Sequence, residues 1–165
     1  MGGGDKTLKN LGGVSLLERV ISMAKPQVDQ LVINANGDTT RFSQFGITVI
    51  NDVIDGFPGP LAGVLTGMEW VQKNKPHCNW IASFACDAPF APPDLVKRFL
   101  NNVSKEKGAM ACAVSGGREH PVFGLWPVSL AGNLRRAIVE EKIHKVDLWT
   151  ARFSLTRVEW KTVPI

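Results

Sequence analysis

Three groups of residues in this 165-residue chain have the types and spacing for phosphate and metal chemistry. Gly2-Gly3-Gly4-Asp5-Lys6 is a glycine run ending in a lysine. Gly59-Pro60-Leu61-Ala62-Gly63 opens a helical pattern, and Cys86-Asp87-Ala88-Pro89 sets a lone acid after an apolar run. Bare backbone N–H groups cradle phosphate oxygens, an ammonium neutralises them, and a carboxylate can hold the divalent metal that travels with a nucleoside triphosphate. Two further polar positions, Asn34 and Asp52, also follow short apolar runs. In an open parallel sheet, ligands bind at the carboxyl ends of the strands, so the spacing of elements puts Lys6, Asn34, Asp52 and Asp87 on one rim. Each also has an ordinary reading: Asn and Asp cap helices and fill turns, and a single exposed lysine is commonly just solvated. Asp87 is the least ordinary of the four, because an acid between a buried strand and Ala88-Pro89 caps no immediate helix.

The elements that must position these residues alternate between helix and strand, which argues for an α/β fold. Ser15 and Glu18 have capping-box spacing, and the helix they open carries Leu17, Val20, Ile21 and Ala24 on one face before Pro26 ends it. Leu31-Val32-Ile33 predicts a short strand running into Asn34, and Ile47 to Ile50 a second ending at Asn51-Asp52. Gly56, Pro58, Gly59 and Pro60 then enforce a loop. A helix over 61–73 follows, with Leu61, Val64, Leu65, Met68 and Val71 on its core side. Trp80 to Ala85 predicts a buried strand that delivers Asp87, and Pro93 suits the first turn of a helix over 93–103. Strands near 109–114 and 121–126, a helix near 129–141 and a strand near 152–160 complete the pattern.

Composition bounds the partners. With 44% hydrophobic residues, a chain of this length forms one domain with a proper core, 1–165. The net charge of +4 suits anionic ligands, but the 19 basic residues are scattered, so no nucleic-acid partner is expected. Cys78, Cys86 and Cys112 lie far apart without metal-ligand spacing, which fits a reducing cytoplasm. No apolar run approaches the length of a membrane span. Trp126, Trp149 and Trp160 read as packing residues and Cys86 as a small buried one.

The ordered set Met1 to Lys6, Val32-Ile33-Asn34-Ala35-Asn36, Ile50-Asn51-Asp52, Gly59 to Gly63, Cys86 to Pro89 and Glu119-His120-Pro121 resembles the molybdenum cofactor guanylyltransferase family over nearly the whole chain. The resemblance implies a Rossmann-like, three-layer αβα nucleotidyltransferase fold with a mostly parallel sheet. It implies transfer of GMP from GTP to Mo-molybdopterin with release of pyrophosphate, and Mg2+ as cofactor. Carried over by position, Lys6 and Asp87 would be catalytic, with Asp87 as the metal ligand, and Lys6, Asn34, Asp52 and Asp87 would bind GTP. A GTP-binding half would span 1–104 and a pterin-binding half 105–165. In the second half, His120 in the turn Gly116 to Pro121, and Lys145 in the segment Lys142 to Trp149, are candidate substrate contacts; His120 before a proline also reads as a turn or packing residue. Cofactor-delivery proteins or molybdoenzymes are the implied partners, with a monomer or weak oligomer as the assembly.

Against this pattern the chain lacks the apolar first strand and the Leu-Ala-Gly-Gly stretch at its start, and an Asn-x-Asn-Thr-Pro type segment at its end. That predicts a slot of about two strand spacings, near 9–10 Å, between the strand of Leu31–Ala35 and that of Trp80–Ala85. The expected consequences are poor GTP binding or aggregation of this form, with a longer form carrying the activity. Two alternatives stay open: a related transferase using CTP or a sugar phosphate, and a nucleotide-binding protein without catalysis.

Overall fold

Ser15 accepts the backbone N–H of Glu18 on its hydroxyl at 3.1 Å, so the first helix starts where the capping-box spacing predicts. The structure is a computed structural model that describes Leu8 and residues 10–56, 59–103 and 109–161. Lys6 and the glycine run before it lie outside the described residues. A hairpin of β1 (Asn10–Leu11) and β2 (Val14–Ser15) leads into α1 (Leu16–Ala24). Then come β3 (Val32–Asn34), β4 (Thr48–Ile50), α2 (Pro60–Asn74), β5 (Trp80–Ser83) and α3 (Leu95–Asn102). The chain continues through β6 (Met110–Ser115), β7 (Arg118–Pro127), α4 (Ala131–Val139), α5 (Val146–Thr150) and β8 (Leu155–Trp160).

Local chemistry explains where the boundaries differ from the sequence reading. The helix predicted over 93–103 begins at Leu95, because Pro92 and Pro93 instead form a turn in which Pro92 O accepts the Leu95 N–H at 3.3 Å. The strand predicted at 121–126 reaches back to Arg118, because Gly116 and Gly117 adopt positive φ (57° and 72°) and fold β7 directly onto β6. The helix predicted to 141 ends at Val139. There Lys142 takes a left-handed φ of 57° while Ile143 N–H returns to Ala137 O at 3.0 Å, a helix stop at which glycine is usual.

β3 and β4 form a parallel pair with Asn34 opposite Ile50. The other sheet runs β5-β7-β6-β8, with β8 parallel to β6 and β7 antiparallel to both its neighbours. Strand alternation sends successive residues of this sheet to opposite faces. Ile81, Met110 and Trp126 pack with Leu61, Leu65 and Met68 of α2, Leu134 and Ile138 of α4 and Trp149 of α5. Trp80, Ala82, Ala111, Ala113, Leu125 and Val158 pack instead with Leu95 and Phe99 of α3. Helices on both faces give the three-layer α/β arrangement. Trp126 donates its indole N–H to Ser83 Oγ at 2.8 Å and lies over Gly124, where a Cβ would come within 2.4 Å of the ring. Trp149 donates to Asn133 Oδ1 at 2.9 Å, so both buried tryptophans are packing residues with their polar atoms satisfied.

Among the described residues β3 pairs only with β4, and β5 only with β7. Both strands line a cavity of about 770 Å³, bounded also by Leu17 and Val20 of α1 and Val64 and Gly67 of α2.

Candidate functional site

The β3/β4 pair is the base on which the site stands. Its ladder continues past the strand end, with Ala35 N–H donating to Ile50 O at 3.0 Å, so the residues after each strand are held side by side. Asn34 spends its amide group here, donating through Nδ2 to Ile50 O at 3.2 Å and to Asp52 Oδ1 at 2.9 Å. Asn36, two residues on and so on the same side of an extended chain, engages Asp52 twice. Its Nδ2 donates to Asp52 Oδ2 at 2.7 Å, and its Oδ1 accepts the Asp52 backbone N–H at 2.8 Å. Each oxygen of the Asp52 carboxylate therefore accepts one amide N–H and keeps a lone pair for a further donor.

Neighbouring elements fix this network from both sides. Arg41 donates through Nη2 to Asn36 O at 2.9 Å and through Nη1 to Asp38 O. Asp38 caps the 3₁₀ segment Thr39–Phe45, which the sequence reading did not place. The Thr40 hydroxyl and backbone N–H, at 2.6 and 2.9 Å, hold the Asp38 carboxyl below the usual carboxylate range. On the other side the buried Thr66 of α2 accepts the Val53 N–H at 3.0 Å and donates to Ala62 O at 2.7 Å, tying the chain after Asp52 to the helix. Asn36, Gly37, Asn51, Asp52, Ile54, Asp55 and Gly56 line an open cavity of about 510 Å³ beside this network, within the range of small-molecule sites.

The first turn of α2 closes on the same place. A Cβ at Gly63 would lie 2.6 Å from Asn34 Oδ1, so only glycine lets that side chain sit against the helix. Gly59 has φ 134° and ψ 168°, a conformation other residues rarely adopt, and Pro60 takes the first helical position. A Cβ at Gly59 would meet His144 O at 3.6 Å, which puts the 144–145 segment beside the opening of α2. Lys145, exposed, is the residue from which α5 starts.

Asp87 is exposed in the turn after β5, which Ala88 N–H closes onto Ala85 O at 3.2 Å. It makes no hydrogen bond to Asn34 or Asp52. Its neighbour Cys86 packs on the cluster of Leu17, Ile33 and Phe42 and lines the larger cavity, as Asn34 does. His120 shares a 2.7 Å hydrogen bond between its Nε2 and Ser115 Oγ across the β6–β7 hairpin. Ser83 faces Gly124 in the β5/β7 register, so His120 lies toward the end of the sheet from which Asp87 emerges. Glu119 beside it pairs with Arg157, Nε to Oε1 at 2.6 Å.

The structure therefore joins Asn34 and Asp52 directly, and no hydrogen bond among the described residues ties Asp87, His120 or Lys145 to that pair; Lys6 lies outside the described residues. Sequence reading missed Asn36 and Thr66 as parts of the site. For Asn36 the signal was available, since Asn34-Ala35-Asn36 has the period of two that puts both amides on one face of an extended segment.

Residues 1–152 match the family described as MobA-like NTP transferase domain. A molybdenum cofactor guanylyltransferase of Nitrobacter hamburgensis is 50% identical over 165 residues, covering all of this chain and 79% of that protein. One of Rhodopseudomonas palustris is 49% identical over 164 residues, 99% of this chain and 78% of that protein. The crystal structure of molybdopterin-guanine dinucleotide biosynthesis protein A from Archaeoglobus fulgidus is similar in fold, with a TM-score of 0.71 at 21% identity over 95% of this chain and 76% of that one.

Proposed function

The chain belongs to the MobA-like NTP transferase family, among the molybdenum cofactor guanylyltransferases, and on that premise we propose how its rim divides the work of the reaction. The reaction is nucleotidyl transfer: GMP passes from GTP to Mo-molybdopterin and pyrophosphate leaves. A phosphate oxygen of the pterin attacks the α-phosphorus, and the bond from that phosphorus to the bridging oxygen breaks with its electron pair going to pyrophosphate. The attacking group is already ionised, so no protein nucleophile is needed. The protein's work is to align two polyanions and offset their repulsion.

Asp52 takes the guanine. Its two oxygens are held in one plane by Asn34 and Asn36 and retain lone pairs, which matches the paired N1–H and N2–H of guanine and gives cytosine no equivalent. This network beside a cavity of nucleotide size is the observation that carries the reading. Asn34 acts through Asp52, because its amide hydrogens are committed and its carbonyl lies against Gly63. Lys6 serves the phosphates, and His120 and Lys145 face the pterin substrate.

The donor set at the far end of the rim fits magnesium. Mg2+ is held by one or two carboxylates while substrate phosphates and water complete its shell, and Asp87 is an exposed oxygen donor without a hydrogen bond to the rest of the site. No group of three or more His, Cys, Asp or Glu side chains gathers among the described residues, so the remaining ligands would come from the triphosphate. When bound, the ion neutralises charge on the phosphate oxygens and on the departing pyrophosphate. We place the reaction in the cytoplasm, with a delivery protein or molybdoenzyme receiving the product. No helix among the described residues is long and apolar enough to cross a membrane.

Gly63→Ala separates the site from the fold. Alanine favours a helix interior by about 1 kcal/mol over glycine, so Tm should hold or rise. The new Cβ, 2.6 Å from Asn34 Oδ1, displaces that side chain and loosens Asp52, so KM for GTP should rise about tenfold. Steady-state kinetics alongside thermal unfolding check both halves, and an unchanged KM would remove the role given to Asn34.

The function itself is tested by incubating the protein with Mo-molybdopterin, Mg2+ and α-labelled GTP or CTP. Label from GTP should enter the dinucleotide with one pyrophosphate released per transfer. Equal incorporation from CTP, or incorporation without release of pyrophosphate, counts against the assignment.

A further inference from the structure

Among the described residues, the side chain with the most bonds to Asp52 is Asn36, not Asn34. One amide grips the aspartate at its backbone N–H (2.8 Å) and at its outer oxygen (2.7 Å), a two-point hold that fixes both the chain at residue 52 and the rotation of the carboxylate. Asn34 reaches only the other oxygen, at 2.9 Å. Without Asn36 the carboxylate keeps a single tether and can turn about it. A pair of parallel N–H donors is read only by two acceptors held in the matching plane, so rotation costs the second hydrogen bond first. Arg41 extends the hold by donating to Asn36 O at 2.9 Å.

We propose that Asn36 is the positioning residue for base selection: by orienting the Asp52 carboxylate toward the cavity, it lets this site distinguish a purine with two adjacent N–H donors from one with a single donor. The inference rests on the assignment of Asp52 to guanine. It is exposed to a different test, because Asn36 touches the aspartate and not the base.

The discriminating pair of substrates is GTP and ITP, which differ only in the 2-amino group. In the wild-type protein GTP should be preferred. Asn36→Ala should raise KM for GTP about tenfold or more with kcat changed less than about threefold, and should shrink the GTP/ITP preference toward unity. Asn36→Asp, of the same size but placing a carboxylate against a carboxylate, should do the same and weaken equilibrium GTP binding further. A purely structural role would lower Tm and both substrates' kcat/KM together, leaving the ratio untouched.

Asp52→Asn is the internal control. If it abolishes the GTP/ITP preference while both Asn36 variants keep it, the positioning role is wrong and the aspartate assignment stands. If neither Asp52→Asn nor the Asn36 variants move the ratio, the aspartate assignment falls and this inference with it. Isothermal titration with GTP and ITP gives the same comparison without turnover.

Discussion

Replacing Asp87 by Ala lowers kcat for GMP transfer about a hundred- to a thousand-fold, the scale set by removing one preorganised stabiliser of transition-state charge. The reason is its place in the fold. Asp87 follows β5 in an exposed turn, bonded to neither Asn34 nor Asp52, next to Cys86, which anchors the turn in the apolar cluster with Leu17 and Ile33. A carboxylate so placed contributes little to stability, so Tm should change by no more than a degree or two. Loss of turnover without loss of fold is the signature of a group that acts on the phosphates. The remaining activity should also need far more magnesium than the wild type. A transferase loses turnover in this variant, whereas a nucleotide-binding protein without catalysis would lose almost nothing measurable. Turnover within a few-fold of wild type would remove Asp87 from the chemistry.

Asp52→Asn should cost most of the preference for GTP over CTP, about a hundred-fold, as expected for losing two charge-assisted hydrogen bonds to the base edge. The substitution replaces an acceptor pair by one acceptor and one donor. An amide at this position cannot accept from Asn34, Asn36 and the guanine edge together, so the network on both its sides loosens as well. The loss should appear mainly in KM, since the base is bound alike before and during transfer. Parallel kinetics with GTP and CTP measure it, and a retained preference would mean that another part of the cavity reads the base.

Asn34, Asp52 and Asp87 were legible because each follows an apolar run, and a polar residue at that point in an α/β chain marks a strand end. Their mutual arrangement was not, because it depends on the β3/β4 register that sets Asn34 opposite Ile50. Asn36 was given no role of its own in the sequence; its meaning comes from a partner 16 residues away. The segment Lys142 to Trp149 read as a stretch offering a substrate contact at Lys145. Its buried residues Val146, Trp149 and Thr150 instead make it a short helix packed on the core, with Lys145 at its exposed start. The fold class followed from alternating patterns, and one cavity is lined by residues of both β3 and β5.

The most direct test is a crystal structure of the protein with Mg2+ and a non-hydrolysable GTP analogue. The account predicts one nucleotide with its guanine edge on the Asp52 carboxylate and its metal-bound phosphates at Asp87. A triphosphate bound away from both side chains, or a base seated with no contact to Asp52, would contradict it.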